Sequence, residues 1–261
     1  MNAEAPILFS VKDQVGTIVL NRPEVFNSFD ANMGNLLLET LKHCKANEEI
    51  RAILITGQGK AFSAGQDIQE LRGENPPTVN EILNERLNPI IRTLMEMDKP
   101  VLSAVNGVAA GAGLSLALAC DICVARSNAS FVFAFCNIGL IPDGGVTYTL
   151  PRLVGWQKAN ALFMLGETIT AKEAMDMGMV YQVYNNGKFE QQAAELAKRL
   201  AQMPTKALVL TKKALAYAYT SDPEKQLAME AELQSNASRT TDFKEGIQAF
   251  AEKRRPNFTG A

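Results

Sequence analysis

Histidine is nearly missing from this sequence: His43 is the only one in 261 residues, and it sits in a mixed helix beside charged residues, where it reads as solvated. A histidine-based triad or a histidine-containing metal cluster is therefore not expected. Cysteine is also sparse. Cys44, Cys120, Cys123 and Cys136 are too few and too scattered for a disulfide framework. Cys120-Asp121-Ile122-Cys123 has the form C-x-x-C but no second pair, so it reads as two buried thiols. Charge of either sign is not in excess: 26 basic against 28 acidic residues leave a formal net charge of −2, which argues against a nucleic-acid footprint or attraction to anionic membranes. Long uninterrupted apolar runs are absent too. The best candidate, beginning at Val101, is broken by Asn106 and by Gly107, Gly111 and Gly113, which argues against a membrane span. The opening residues, MNAEAPILFS, lack the basic start and long apolar core of a secretory signal, and the expected location is the cytoplasm.

What is present centres on Val101 to Asp121, VLSAVNGVAAGAGLSLALACD. Pro100 forbids helix from the left, Val101 to Val105 is a short buried strand, and Asn106-Gly107 opens a turn. Gly111 and Gly113 let the backbone approach something closely, and helix-forming residues begin at Leu114. A helix starting at such a turn directs unpaired N–H groups and the positive end of its dipole into the gap, which suits a developing negative charge. That is the physical basis of an oxyanion hole. Close packing of helix on strand with no ligand is the competing reading. A dinucleotide fingerprint fits less well, since Leu116 stands where the third glycine belongs and no acidic residue lies between Asp121 and Asp143 to hold a ribose.

At this length the chain holds one large α/β domain, or one with a helical appendage. Ile7 to Asn21 reads as a hairpin around Asp13 to Gly16, and Arg22 to Ser28 as a loop. Asp30 caps a helix reaching Lys45 or so. Arg51 to Thr56 is a buried strand ending in small residues through Phe62 to Asp67. Gly73 to Thr78 is a mobile loop, and Val79 to Met97 a helix. Ile122 to Ala125 and Ser130 to Phe133 are short strands, with Phe131, Phe133 and Phe135 at period two. From Val146 onward the signals are helical over 153–165, 171–177, 191–202, 206–219 and 224–253, the last breaking near Ser238 to Asp242, with one strand near Met179 to Tyr184. The division is thus a strand-and-helix core over 1–200 and a helical region over 201–261 of the kind that mediates oligomerisation.

Asn21-Arg22-Pro23 with Asn27, Phe62-Ser63-Ala64-Gly65-Gln66-Asp67, Asn106 to Gly113, Cys120-Asp121 and the ending Glu252 to Phe258 occur together in the order found in the crotonases, the enoyl-CoA hydratase/isomerase family, which the chain resembles nearly end to end. The resemblance implies an α/β fold, a spiral of repeated ββα units with a C-terminal helical region, assembled as homotrimers or dimers of trimers. It also implies an acyl-CoA thioester as substrate, with no cofactor beyond the coenzyme A that the substrate carries. Gln66 and Ala112 would supply the two backbone donors for an enolate. Coenzyme A would lie against Arg22 to Val25, Ser63, Ala64, Gln66, Asp67, Ile68, Gly111 and Ala112, with Phe250 and Lys253 reaching a neighbouring subunit's ligand. For Lys253, a solvated charge at a helix end is the alternative.

The resemblance also exposes a departure. Where the family's hydratases carry two glutamates, this chain has Ser115 and Phe135, and neither can move a proton as hydration requires. Asp143, in Ile141-Pro142-Asp143-Gly144-Gly145, is the remaining carboxylate. It could cap the next helix. Nearby phenylalanines, however, suggest an apolar wall that would raise its basicity, and family members that shift double bonds have an aspartate at the matching place. The resemblance is nearest to the ring 1,2-epoxyphenylacetyl-CoA isomerases, so the expected reaction is a double-bond shift or ring-epoxide rearrangement with Asp143 as sole acid and base. A generic hydratase, an aspartate-nucleophile dehalogenase and an acyl-CoA-binding scaffold are the alternatives.

Overall fold

The computed structural model describes residues 5–72 and 75–261, so residues 1–4 of the leader reading and the first two positions of the Gly73 to Thr78 loop lie outside the described residues. Strands β1 (Ile7–Lys12) and β2 (Val15–Leu20) form the expected antiparallel hairpin. Its turn is tighter than the sequence suggests. Asp13 and Gln14 both take positive φ, 51° and 62°, the paired left-handed geometry that follows the twist of a two-residue hairpin loop. Asp30 then caps the helix Ala31–Ala46, its Oδ1 accepting from Met33 N at 2.8 Å.

Three ββα units follow. The first is β3 (Ala52–Gly57), β4 (Ala61–Ser63) and a helix running through Val79–Glu81, a π-helical turn Ile82–Leu87 and Asn88–Met95. The second is β5 (Val101–Val105), β6 (Val108–Ala110) and the helix Ala112–Ala119. The third is β7 (Ile122–Arg126), β8 (Ser130–Val132) and the helices Val146–Val154 and Trp156–Leu165. The first strands of the units, β3, β5 and β7, are parallel neighbours in one sheet, and the second strands, β4, β6 and β8, are parallel neighbours in another. Each turn of chain therefore adds one strand to each sheet, which makes the fold a spiral. Two short strands finish the sheets: β9 (Thr168–Thr170) beside β8 and β10 (Gln182–Tyr184) beside β7.

Four expectations need correcting. The glycine turn after β5 contains a strand of its own, β6, and the following helix starts at Ala112 and not at Leu114. The period-two aromatic run is a strand only as far as Val132, because Phe135 lies in a 3-10 turn, Ala134–Ile138. The single helix expected over 153–165 is two, parted at Gly155 with φ 82°. The C-terminal half also holds two strands, β9 and β10, and not one.

Both faces of the larger sheet are covered. Ile53 and Ile55 of β3 pack with Met33, Leu37 and Leu41 on one side, while Leu54, Leu102 and Val124 meet Ala193 and Ala197 of the helix Phe189–Ala201 on the other. Burial on both faces explains why β3 and β5 read as apolar runs without alternation. The helices Thr205–Ala218, Pro223–Ala237 and Thr241–Ala251 complete the chain, with the break at the expected place and Thr240 capping the last of them. Lys212 ties this region to the core through Asp121 Oδ1 at 2.8 Å and the Leu94 carbonyl at 2.7 Å. Among the described residues no helix is long and apolar enough to cross a membrane.

Candidate active site

Two backbone corners meet at the carboxyl ends of β4 and β6. Gly65 and Gly111 both have positive φ, 94° and 49°. A Cβ added to Gly65 would stand 2.9 Å from the Ala110 carbonyl oxygen and 3.1 Å from the Ala112 nitrogen, so only glycine lets the corners approach. Ala112 N is the first amide of its helix and has no intrahelical acceptor. Gln66 faces Phe29 across an isolated parallel bridge in which Phe29 N donates to the Gly65 carbonyl at 2.7 Å and Asp67 N to the Phe29 carbonyl at 2.9 Å. That pattern turns the Gln66 amide to the opposite side. Among the described residues neither the Gln66 nor the Ala112 amide donates to a protein acceptor. Both border a recess walled by Phe29, Ile82, Leu87 and Ile90. Two free amides and a helix N-terminus on an apolar recess are the elements that hold an oxyanion.

One turn along the same helix stands Ser115, buried and donating through Oγ to the Asp143 carbonyl at 2.9 Å. The turn bearing Asp143 rests directly on it: a Cβ on Gly144 would lie 2.7 Å from Ser115 Cβ and 3.2 Å from Leu87 Cδ2. Leu87 thus touches both the recess and the Asp143 turn. The next helix has Gly145 at its cap position and no side-chain cap, so Asp143 does not serve as one. Its Oδ1 is buried and, among the described residues, without a hydrogen-bond partner. Burial raises the Asp143 carboxyl above the usual carboxylate range, with only its own backbone amide acting against that. Phe133 and Phe135 pack edge-on against Phe163, at 5.6 and 6.4 Å between ring centroids, while Leu87 and Ser115 close on the aspartate turn.

The other candidate residues divide by what holds them. Arg22 binds inward, to Asp30 at 3.2 Å, Asp67 at 3.1 Å and the Ser28 carbonyl at 2.7 Å, joining the loop before the first helix to the Gln66 corner. Ser63 is fully buried, donating to the Asn27 carbonyl and accepting from Gly65 N at 3.1 Å, so its side chain shapes the corner from behind. Asn27 and Asn106 both donate to the Ala61 carbonyl, at 2.8 and 3.0 Å, bracing β4. Ala64 and Ile68 are exposed beside the corner, and Val25 is half-buried. Phe250 and Lys253 are exposed at the end of the last helix, Lys253 with φ 54°. Buried Cys123 has its thiol pushed up to about 11 by burial, and Cys120 is raised for the same reason, as inert buried thiols require. His43 is exposed.

Sequence reasoning missed Glu70, which receives the Gln66 side chain at 2.7 Å and Arg86 at 2.7 Å. Its spacing of four from Gln66 was the available signal, and the Arg86 contact, across 16 residues, gave none.

Residues 10–261 match the family model described as enoyl-CoA hydratase/isomerase. The chain is 43% identical over 258 residues to the 1,2-epoxyphenylacetyl-CoA isomerase of Escherichia coli strain K12, covering 97% of this chain and 98% of that protein. It is 35% identical to the trans-2-decenoyl-[acyl-carrier-protein] isomerase of Streptococcus mutans, again over 97% and 98%. The crystal structure of an enoyl-CoA hydratase from Bacillus anthracis superposes with a TM-score of 0.93 at 32% identity, covering 98% of this chain and all of that one.

Proposed function

The chain belongs to the enoyl-CoA hydratase/isomerase family, and from that premise we propose that it shifts a double bond within an acyl-CoA thioester, with Asp143 as the only acid and base. In this reading the thioester oxygen lies between the Gln66 and Ala112 amides. Asp143 takes a proton from C2 of a 3-enoyl-CoA, the electron pair moves into the carbonyl, and the resulting dienolate is held by the two N–H groups. The same carboxylic acid returns the proton at C4, leaving the double bond between C2 and C3. One oxyanion-hole donor is worth roughly 3–4 kcal/mol at the transition state, so two amides supply a large part of what a dienolate needs. The proton carrier adds about 10²- to 10⁴-fold.

The observation that carries the reading is the buried Oδ1 of Asp143, unpartnered among the described residues; the backbone carbonyl of the same residue is bonded to Ser115 in the helix that begins at Ala112. A carboxylate with one oxygen unpartnered and its pKa raised by burial is a better base than a solvated one. Hydration is the less favoured reading, because Ser115 is buried against the Asp143 turn and Phe135 packs on Phe163. Neither can activate water. Likeness to a 1,2-epoxyphenylacetyl-CoA isomerase over 97% of the chain supports a ring-derived acyl group and a place in phenylacetate breakdown. The exposed apolar side chains of the C-terminal helices, among them Leu215, Leu227 and Ile247, support assembly into a trimer or pair of trimers, with Phe250 and Lys253 near a neighbour's coenzyme A. Incubation with a 3-enoyl-CoA and, separately, a 2-enoyl-CoA tests the assignment. Conversion of the first to the conjugated ester, with no 3-hydroxyacyl product from the second, is expected. Rapid hydration, an ester trapped on Asp143 or binding without turnover would each overturn it.

A further inference from the structure

The Gln66 amide is one of the two donors on which the proposed function rests, and the side chain of the same residue is tethered. Gln66 Nε2 donates to Glu70 Oε2 at 2.7 Å. The other carboxylate oxygen of Glu70 accepts from Arg86 Nη1 at 2.7 Å and from Ala31 N at 3.3 Å. One carboxylate therefore joins three segments: the corner carrying the amide, the N-terminus of the helix Ala31–Ala46, and the π-helical turn Ile82–Leu87 that contains Arg86 and forms a wall of the recess. The Glu70 and Arg86 side chains are only 20% and 21% exposed, so the pair is shielded enough for its geometry to be maintained.

The corner needs such a tether. The bond that the Gly65 carbonyl accepts from Phe29 N fixes the plane of the Gly65–Gln66 peptide and so aims its N–H away from Phe29, but it does not tie the corner to the wall of the recess, and Gly65 at φ 94° has no Cβ to stiffen the corner. Asp67 is bound to Arg22 beyond it, and the Gln66 side chain links the corner, through Glu70, to the recess wall. We infer that Glu70 is a positioning residue for the oxyanion hole: through the Gln66 carboxamide it holds in place the corner that carries the Gln66 amide, and through Arg86 it fixes that corner against the wall of the acyl recess. With its oxygens turned to three protein donors, Glu70 acts on the substrate through Gln66. The inference rests on the isomerase reading, since it assigns Glu70 a share in holding the dienolate.

The test compares Glu70→Ala, Glu70→Gln, Gln66→Ala and the Glu70→Ala/Gln66→Ala double variant for kcat on a 3-enoyl-CoA, for Kd of the saturated acyl-CoA of equal length, and for Tm. Glu70→Ala is expected to lower kcat roughly tenfold to a hundredfold, as a small misplacement of a catalytic group does, with Kd of the saturated ester nearly unchanged. Glu70→Gln keeps an acceptor for Gln66 and should recover most of the loss. The double variant should lose no more than the worse single one, because both changes cut the same link. A kcat unaffected by Glu70→Ala, a kcat loss matched by Kd or Tm, or additive losses in the double variant would overturn the positioning role. In those cases the wild-type enzyme still isomerises; if it does not, the functional reading fails and takes this inference with it.

Discussion

Replacing Gly65 by alanine tests whether the two backbone corners are a catalytic device or only a packing arrangement. The new Cβ would lie 2.9 Å from the Ala110 carbonyl oxygen and 3.1 Å from the Ala112 nitrogen, and both are backbone atoms that yield only if the chain itself shifts. Holding a non-glycine residue at φ 94° costs about 1–3 kcal/mol, and forcing a methyl into a packed site about the same again. The sum, roughly 2–6 kcal/mol, lowers Tm by about 5–20 °C in a chain of this size. Relief comes from moving the Gly111 to Ala112 peptide, which displaces a donor. Losing one donor's alignment lowers kcat by about 10²- to 10³-fold. Gly178→Ala is the control. It imposes a similar positive φ, 83°, but its nearest contact is the Leu153 carbonyl oxygen at 3.4 Å, away from the recess. It should lower Tm and leave kcat alone. Isomerase kcat and scanning calorimetry on both variants decide the matter. Wild-type kcat in Gly65→Ala, or an equal loss of kcat in Gly178→Ala, would refute the assignment of these amides as donors.

Asp143→Asn replaces a carboxylate whose charged form burial disfavours with a neutral amide that still leaves a polar atom at the unpartnered position, so the variant should fold with a Tm at neutral pH no lower than the wild type's; a marked fall would mean that Asp143 is structural. The sign of the pH dependence follows from its raised pKa: between the unfolded and folded values the native state holds more protons, so Asp143 costs stability as pH rises, and that cost should be absent from the variant's stability profile. Because the ionised form is the base, wild-type kcat/KM should fall as pH drops through the raised pKa; a fall only at the ordinary aspartate value would contradict the burial argument. Ser115→Ala removes the 2.9 Å bond to the Asp143 carbonyl and should lower kcat by less than about tenfold with unchanged hydration, whereas a complete loss would make Ser115 the proton carrier. Arg51 donates to the Phe258 carbonyl at 2.7 Å, the Met203 carbonyl at 2.6 Å and Thr205 Oγ1 at 3.1 Å, so Arg51→Met should cost on the order of 3 kcal/mol and expose the C-terminal tail to limited proteolysis. An unchanged tail would show that Asp242, which accepts from Thr259 N and Gly260 N, holds it alone.

Features whose causes are local were legible in the sequence. The hairpin at Asp13-Gln14, the cap at Asp30 and the break capped by Thr240 each depend on a few adjacent residues. The strands β6 and β9 were not legible, because three residues hold barely one period and their pairing is decided by strands more than 20 positions away. The division at Gly155 was hidden because Leu153 to Leu165 keeps an apolar rhythm through the glycine. For the site, the glycines of both corners and Asp143 could be singled out, but the family resemblance was needed to bring them together. What determines the state of Asp143, a buried side-chain oxygen left without a partner among the described residues, is a tertiary fact, and so is the edge-on packing of Phe133 and Phe135 against Phe163. The ion pairs of Arg22 with Asp30 and Asp67 were equally hidden, since Asp67 lies 45 residues away.

The most direct measurement is the incorporation of solvent deuterium at C2 and C4 of a 3-enoyl-CoA by the wild-type protein and by Asp143→Asn, with the Kd of the same ester measured alongside. A proton relay through one carboxylate, with the dienolate held by two amides, predicts exchange in the wild type, exchange reduced at least about a hundredfold in the variant, and nearly equal affinity in both. Exchange that persists in Asp143→Asn, or that is lost only because the ester no longer binds, would contradict it.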